Sequence, residues 1–99
     1  MYKRQFLRWL AAHDLRLPDE AQTLVSEAAA RPDFVYRRPD VLTAVFLDGP
    51  QHDTGRTAER DSEATERLYD VGWNVVRVRY DGDWEQAAAQ HRSVFGAGR

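Results

Sequence analysis

The stretch from Asp33 to Asp48 reads DFVYRRPDVLTAVFLD. Asp33 to Arg37 has the alternation of a strand. Arg38-Pro39-Asp40 carries the residues of a turn. Val41 to Leu47 is almost wholly apolar, as expected for a strand buried on both faces. The stretch therefore predicts a β-hairpin leading into a central strand, which Asp48-Gly49-Pro50 ends abruptly.

Downstream, residues 51–57 are polar and loop-like. The spacing predicts a helix from about Thr57 to Val71, ended by Gly72. Trp73 to Tyr80 places Val75, Val76, Val78 and Tyr80 as a further strand. A last helix is expected over Asp83 to His91, with Trp84, Ala87, Ala88 and His91 on one face. Upstream, residues 3–13 cluster Phe6, Leu7, Trp9, Leu10 and His13 at helical spacing. His13 and His91 read as packing residues. Leu15 to Pro18 breaks that helix. A second helix is expected from Pro18, with Asp19 and Glu20 favouring its dipole. Its apolar stripe is Ala21, Leu24, Val25, Ala28 and Ala29, and Pro32 stops it. The order is ααββαβα, with the third helix a right-handed crossover between neighbouring strands. This predicts a small α/β layered domain: a mixed sheet of a β-hairpin plus a crossover strand, flanked by helices.

The 99 residues make one domain with a modest core. The 42% hydrophobic content is that of a globular chain. Cysteine is absent, which excludes disulfides, thiolate zinc sites and cysteine nucleophiles. No apolar run approaches the roughly 20 residues of a membrane helix, and no signal peptide is recognised, so a cytoplasmic location is expected. The net charge of −2 gives no basic field over the whole surface. Residues 48–85 hold ten acids and five bases, whereas 1–47 hold six acids and seven bases. An acidic segment of that kind needs metal ions to approach phosphates.

Asp48 stands where an apolar strand ends, a common place for sites in α/β sheets; a turn-starting Asp before Gly-Pro is the plainer use. Asp33 opens the preceding strand, and pairing through the 38–40 turn sets it opposite residues near 44–46. Two carboxylates near one end of the hairpin, with backbone carbonyls, make a hard-oxygen site for Mg²⁺. The plainer use of Asp33 is to cap a turn after Pro32. His52, in the loop, is a candidate general base, metal-water ligand or phosphate contact; a solvated loop histidine is the plainer reading. Asp61 shares a helix face with Ala64, Thr65 and Leu68, the face that must meet the sheet. An inward carboxylate needs a partner. It would either orient His52 and the metal shell or pair with Arg77 or Arg79. Arg56 and Arg60 are candidate phosphate contacts; a solvated face is the alternative.

The segments PDFVYRR, VLTAVFLDGPQHD and RDSEATERLYDVGWNVVRVRY together resemble the restriction-endonuclease-like superfamily. Within it they are similar to very-short-patch-repair-type endonucleases and to nuclease-like domains at the C-terminus of bacterial DEAD/DEAH-box helicases. The resemblance covers about residues 15–96. It implies a Mg²⁺- or Mn²⁺-dependent endonuclease acting on DNA. Asp33 would be the metal-binding aspartate, with Asp48 and the Leu47 carbonyl completing the ligands. His52 would position or deprotonate the attacking water, and Asp61 would support it. Two departures stand out. Phe46 occupies the place of an acid found two residues before Asp48 in many relatives, and Asp48 stands where the superfamily's lysine is usual. They favour the alternative reading, a catalytically inactive module that binds DNA or assembles with a helicase. A homodimer would suit either reading. Trp9, Trp73 and Trp84 are candidates for its interface, with core packing as their other use.

Overall fold

The structure is a computed structural model that describes residues 2–49 and 55–96, with side chains given for 3–49 and 62–96. The chain begins with helix α1 (Tyr2–Ala12), then a two-residue strand β1 (Glu20–Ala21) and a 3₁₀ turn over Ser26–Ala28. Strands β2 (Phe34–Arg37) and β3 (Leu42–Asp48) follow, then helix α2 (Gly55–Asp70) and strand β4 (Asn74–Arg79). Helices α3 (Trp84–Gln90) and α4 (Arg92–Phe95) complete it.

The four strands form one mixed sheet in the order β1-β2-β3-β4. The expected hairpin is present: β2 and β3 are antiparallel with Phe34 opposite Val45 and Arg37 opposite Leu42. The turn between them closes through the Arg38 N–H on the Val41 carbonyl, 3.0 Å. β4 lies parallel to β3, with Phe46 opposite Arg77 and Asp48 opposite Arg79, as the crossover reading requires. Thr43 to Leu47 is buried throughout, so β3 is the central strand covered on both faces.

Alternate residues of β3 feed two cores. Val45 and Leu47 join Phe6, Leu10, Tyr36, Val78 and Phe95 on the face covered by α1, α3 and α4. Ala44 and Phe46 join Val25, Val35, Leu68 and Trp73 on the face covered by α2 and the 3₁₀ turn. Phe6 anchors the first core, edge-on to Trp84 at 5.2 Å and to Phe95 at 6.0 Å between ring centroids. Edge-to-face pairs of this kind add roughly 0.5–1.5 kcal/mol beyond area burial.

Gly72 ends α2 as expected. Its φ is +89°, the left-handed conformation that glycine adopts without a Cβ penalty. The Trp73 N–H reaches the Leu68 carbonyl at 3.0 Å and the Gly72 N–H reaches the Tyr69 carbonyl at 3.0 Å. That bond pair is a Schellman motif, and its apolar contact is Trp73 with Leu68 in the same core.

Residues 18–32 do not form the expected second helix. The Asp19 N–H donates to the Val35 carbonyl at 2.9 Å and the Gln22 N–H to the Asp33 carbonyl at 3.1 Å. Glu20 and Ala21 thereby pair with Val35 and Phe34. The outer edge of β2 offers unpaired backbone groups, and covering them overrides a weak helical preference. Positive φ at Gln22 (59°) and Ala29 (48°) excludes a continuous right-handed helix. The apolar residues are used differently: Val25, Ala28 and Ala30 are buried, while Leu24 is exposed. The observed order therefore has a short edge strand and a 3₁₀ turn where a helix was expected, and α4 follows the last expected helix. His13 packs on Trp9 at 4.4 Å between ring centroids, at an exposed position just past the end of α1.

Candidate functional site

Parallel β3 and β4 end side by side at Asp48 and Arg79, and antiparallel β2 begins at the same end of the sheet. Open α/β sheets bind ligands outside the carboxyl ends of such strands. Asp33 lies there, one residue before β2. Its Oδ2 accepts the Leu47 N–H at 2.6 Å. The carboxylate thus takes the place of a ladder carbonyl, where Pro32 begins the run into the strand. The N–H and C=O of one strand residue leave the same side of the backbone. The Leu47 carbonyl therefore opens on the same side of β3 as the Asp33 carboxylate.

Asp33 Oδ1 meets the Lys3 ammonium of α1 at 2.9 Å and the Gln22 side-chain amide at 3.3 Å. The Asp33 side chain is 15% exposed and Lys3 40%. A half-exposed lysine on a nearly covered carboxylate marks a position that takes a positive charge yet can be vacated by a flexible stem.

Asp48 is held differently. Arg77, the next-but-one neighbour of Arg79 on β4, directs Nε and Nη2 to its two carboxylate oxygens at 3.3 and 3.0 Å. The same guanidinium donates Nη1 to the Thr65 hydroxyl of α2 at 3.1 Å and lies 4.6 Å from the Phe46 ring centroid. Planar fork and stacked face are the geometry for which arginine is suited and lysine is not. The parallel register explains it: Phe46 and Arg77 are directly paired, and Asp48 follows Phe46 on the same face. The Asp48 carbonyl also accepts the Tyr80 N–H at 2.9 Å.

The two aspartates are therefore brought to one end of the sheet, but their carboxylates have separate partners. Asp33 is tied to α1 through Lys3, and Asp48 to α2 through Arg77 and Thr65. Arg77 pairs with Asp48, and Arg79 pairs with Asp81 at 3.0 Å; the pairing of Asp61 with either arginine falls outside the described residues. The face of α2 on which Asp61 was placed does meet the sheet, since Leu68 is fully buried and Ala64 is packed against the second core. His52 lies outside the described residues, as do the side chains of Arg56, Arg60 and Asp61. Among the described residues no group of three or more metal-ligating side chains gathers. None of their helices is long and apolar enough to cross a membrane.

The clasp of Arg77 on Asp48 was missed from sequence. Its signal was the alternation of β4, which sets Arg77 between Val76 and Val78 and so on the face opposite theirs. The chain matches no family model, no curated protein and no solved structure.

Proposed function

We propose that this protein is a metal-dependent endonuclease that hydrolyses DNA phosphodiesters, with its metal held by Asp33 and the Leu47 carbonyl. The observation that carries the reading is the 2.6 Å bond from the Leu47 N–H to Asp33 Oδ2, which fixes a carboxylate beside the backbone of Leu47. The donor set fits a hard cation, because both ligand atoms are oxygens and Mg²⁺ completes its shell with water. Lys3 already seats a positive charge on the carboxylate. When bound, such a metal supplies Lewis-acid polarisation of the phosphoryl group and a more acidic water.

This chain's own residues do the remaining work. Leu47 orients Asp33 through its N–H. Asp48, expected as a further metal ligand, has both carboxylate oxygens on Arg77 and instead adds an acidic group at the same end of the sheet. His52 would take the proton of the attacking water, with Asp61 as its support, and Arg56 and Arg60 would meet flanking phosphates. The proposal includes the association with a DEAD/DEAH-box helicase that the resemblance implies.

One observation favours the second reading, an inactive module that binds DNA or assembles with a helicase. Phe46 lies under the Arg77 guanidinium, so an aromatic ring and a cation occupy the surroundings of Asp48.

Nicking of supercoiled plasmid with Mg²⁺ or Mn²⁺ tests the first reading, run beside Asp33→Asn protein of equal melting temperature. Metal-dependent nicking that Asp33→Asn abolishes is the expected result. Absence of nicking with either metal, together with retained DNA binding, would establish the inactive module.

A further inference from the structure

The proposed nuclease reading assigns its phosphate contacts to α2. A different surface carries uncompensated positive charge. From Lys3 to His13 the chain has three cations and no acid. On α1, Arg4 and Arg8 are four residues apart and Ala11 follows at three, so they share one face. Both arginines are exposed, and among the described residues neither has an ion-pair partner.

The row leads into a groove of about 700 Å³, lined by Ala11, Leu15, Arg16, Arg37 and Arg38. Asp14 and Asp19 also line it, but Asp19 is held by Arg16 and the Arg37 N–H, and Asp14 is engaged as well. Arg37 is occupied by Glu20. Arg38 is not: its Nε is the one buried side-chain polar atom without a hydrogen-bond partner among the described residues. An orphaned buried donor of this kind asks for an acceptor from outside.

We infer that Arg4, Arg8 and Arg38 form a track for the phosphate backbone of a nucleic acid. The inference rests on the reading that this chain acts on DNA, but not on its being catalytic. The row begins beside Lys3, which touches Asp33, and ends at Arg38, five residues along β2 from Asp33. At about 3.3 Å per strand residue that is roughly 16 Å, or about five base pairs of duplex at about 3.4 Å each. Cations spaced along that length suit a repeating row of phosphates better than a single anion. The segregation also explains how a chain of net charge −2 can approach a polyanion.

The test is fluorescence anisotropy of a labelled 20-base-pair duplex at several salt concentrations. At about −0.9 per phosphate contact, the three track arginines contribute about −2.7 to the slope of log affinity on log salt, or roughly a 40-fold loss from 50 to 200 mM salt. Arg4→Gln with Arg8→Gln should flatten the slope by about 1.8, and adding Arg38→Gln by about 0.9 more. Arg67→Gln, on α2 across the sheet from α1, should leave it unchanged. Should the triple variant unfold, the Arg4→Gln/Arg8→Gln protein decides alone. Duplex binding unchanged by these substitutions would overturn the track while leaving a DNA-acting protein. No binding by the parent even at 50 mM salt would overturn both. Equal binding of poly-glutamate would overturn the assignment to nucleic acid. Plasmid that stays intact while the salt slope responds as expected would remove the nuclease and keep the track.

Discussion

At Asp33 one carboxylate satisfies a backbone N–H, a lysine and an amide at once. Lys3 competes there with any bound cation. Lys3→Met should therefore tighten Mn²⁺ binding, by severalfold in calorimetric titration, whereas weaker binding would mean that Lys3 assists the metal. Arg77 poses the opposite case, because its fork on Asp48 is about a quarter exposed on both sides. Removing one partner strands the other near the core. Asp48→Asn and Arg77→Met should each cost about 1.5–3 kcal/mol in urea unfolding, the scale of a hydrogen bond to a charged group. The double variant should cost less than the sum, and simple additivity would show that the clasp contributes nothing. Tyr36 is fully buried, and its hydroxyl donates to the Arg16 carbonyl at 2.9 Å. Burial raises its phenol well above the ordinary tyrosine range. The folded chain then keeps a proton that the unfolded chain releases above about pH 10. This stabilisation is complete below that pH and is lost as pH rises further. Tyr36→Phe should cost about 1 kcal/mol at pH 7 and unfold less readily than the parent on going to pH 11, relative to pH 7.

The elements differ in how openly the sequence declares them. The β2–β3 hairpin, the crossover through α2 and the strand β4 were legible because alternation, Pro39 and Gly72 all point the same way. Residues 18–32 were not, because their apolar spacing fits a helix and also fits a folded-back strip. What decides between them is the bare edge of β2, a property of another element. The place of Asp33 before β2, opposite residues near 44–46, was legible from the hairpin, whereas its bond from the Leu47 N–H was not. The pairing of Asp48 with Arg77 needed the β3–β4 register, which sequence alone leaves open by a residue or two. Gly72 and Ala29, both at positive φ, make opposite predictions. At Gly72 an added Cβ meets nothing within 4 Å, so Gly72→Ala tests backbone strain alone and should cost about 1–2 kcal/mol. Ala29 sits at φ 48° and is exposed. Ala29→Gly should stabilise by up to about 1 kcal/mol, and a loss in melting temperature would contradict the folded-back geometry.

As a whole, the molecule is a sheet with a core on each face and a radius of gyration of 13.0 Å, the size expected of a compact chain of about 100 residues. Trp73 belongs to the second core, and Trp9 and Trp84 pack against the first. The tryptophans are thus accounted for within the chain. Charge is divided as well: acids crowd from residue 48 onward, and cations gather along α1. β3 joins these parts, since its alternate side chains serve both cores and its last turn of backbone meets Asp33 and Tyr80. At Leu47 this has a practical consequence. Its amide proton is shared with a carboxylate instead of another strand's carbonyl, so its resonance and its exchange with deuterated solvent report the state of Asp33 directly. A cation that draws the carboxylate away would deprotect that single amide in the most shielded strand. Leu47 is in this sense a built-in gauge of what the Asp33 carboxylate holds, readable without any substrate.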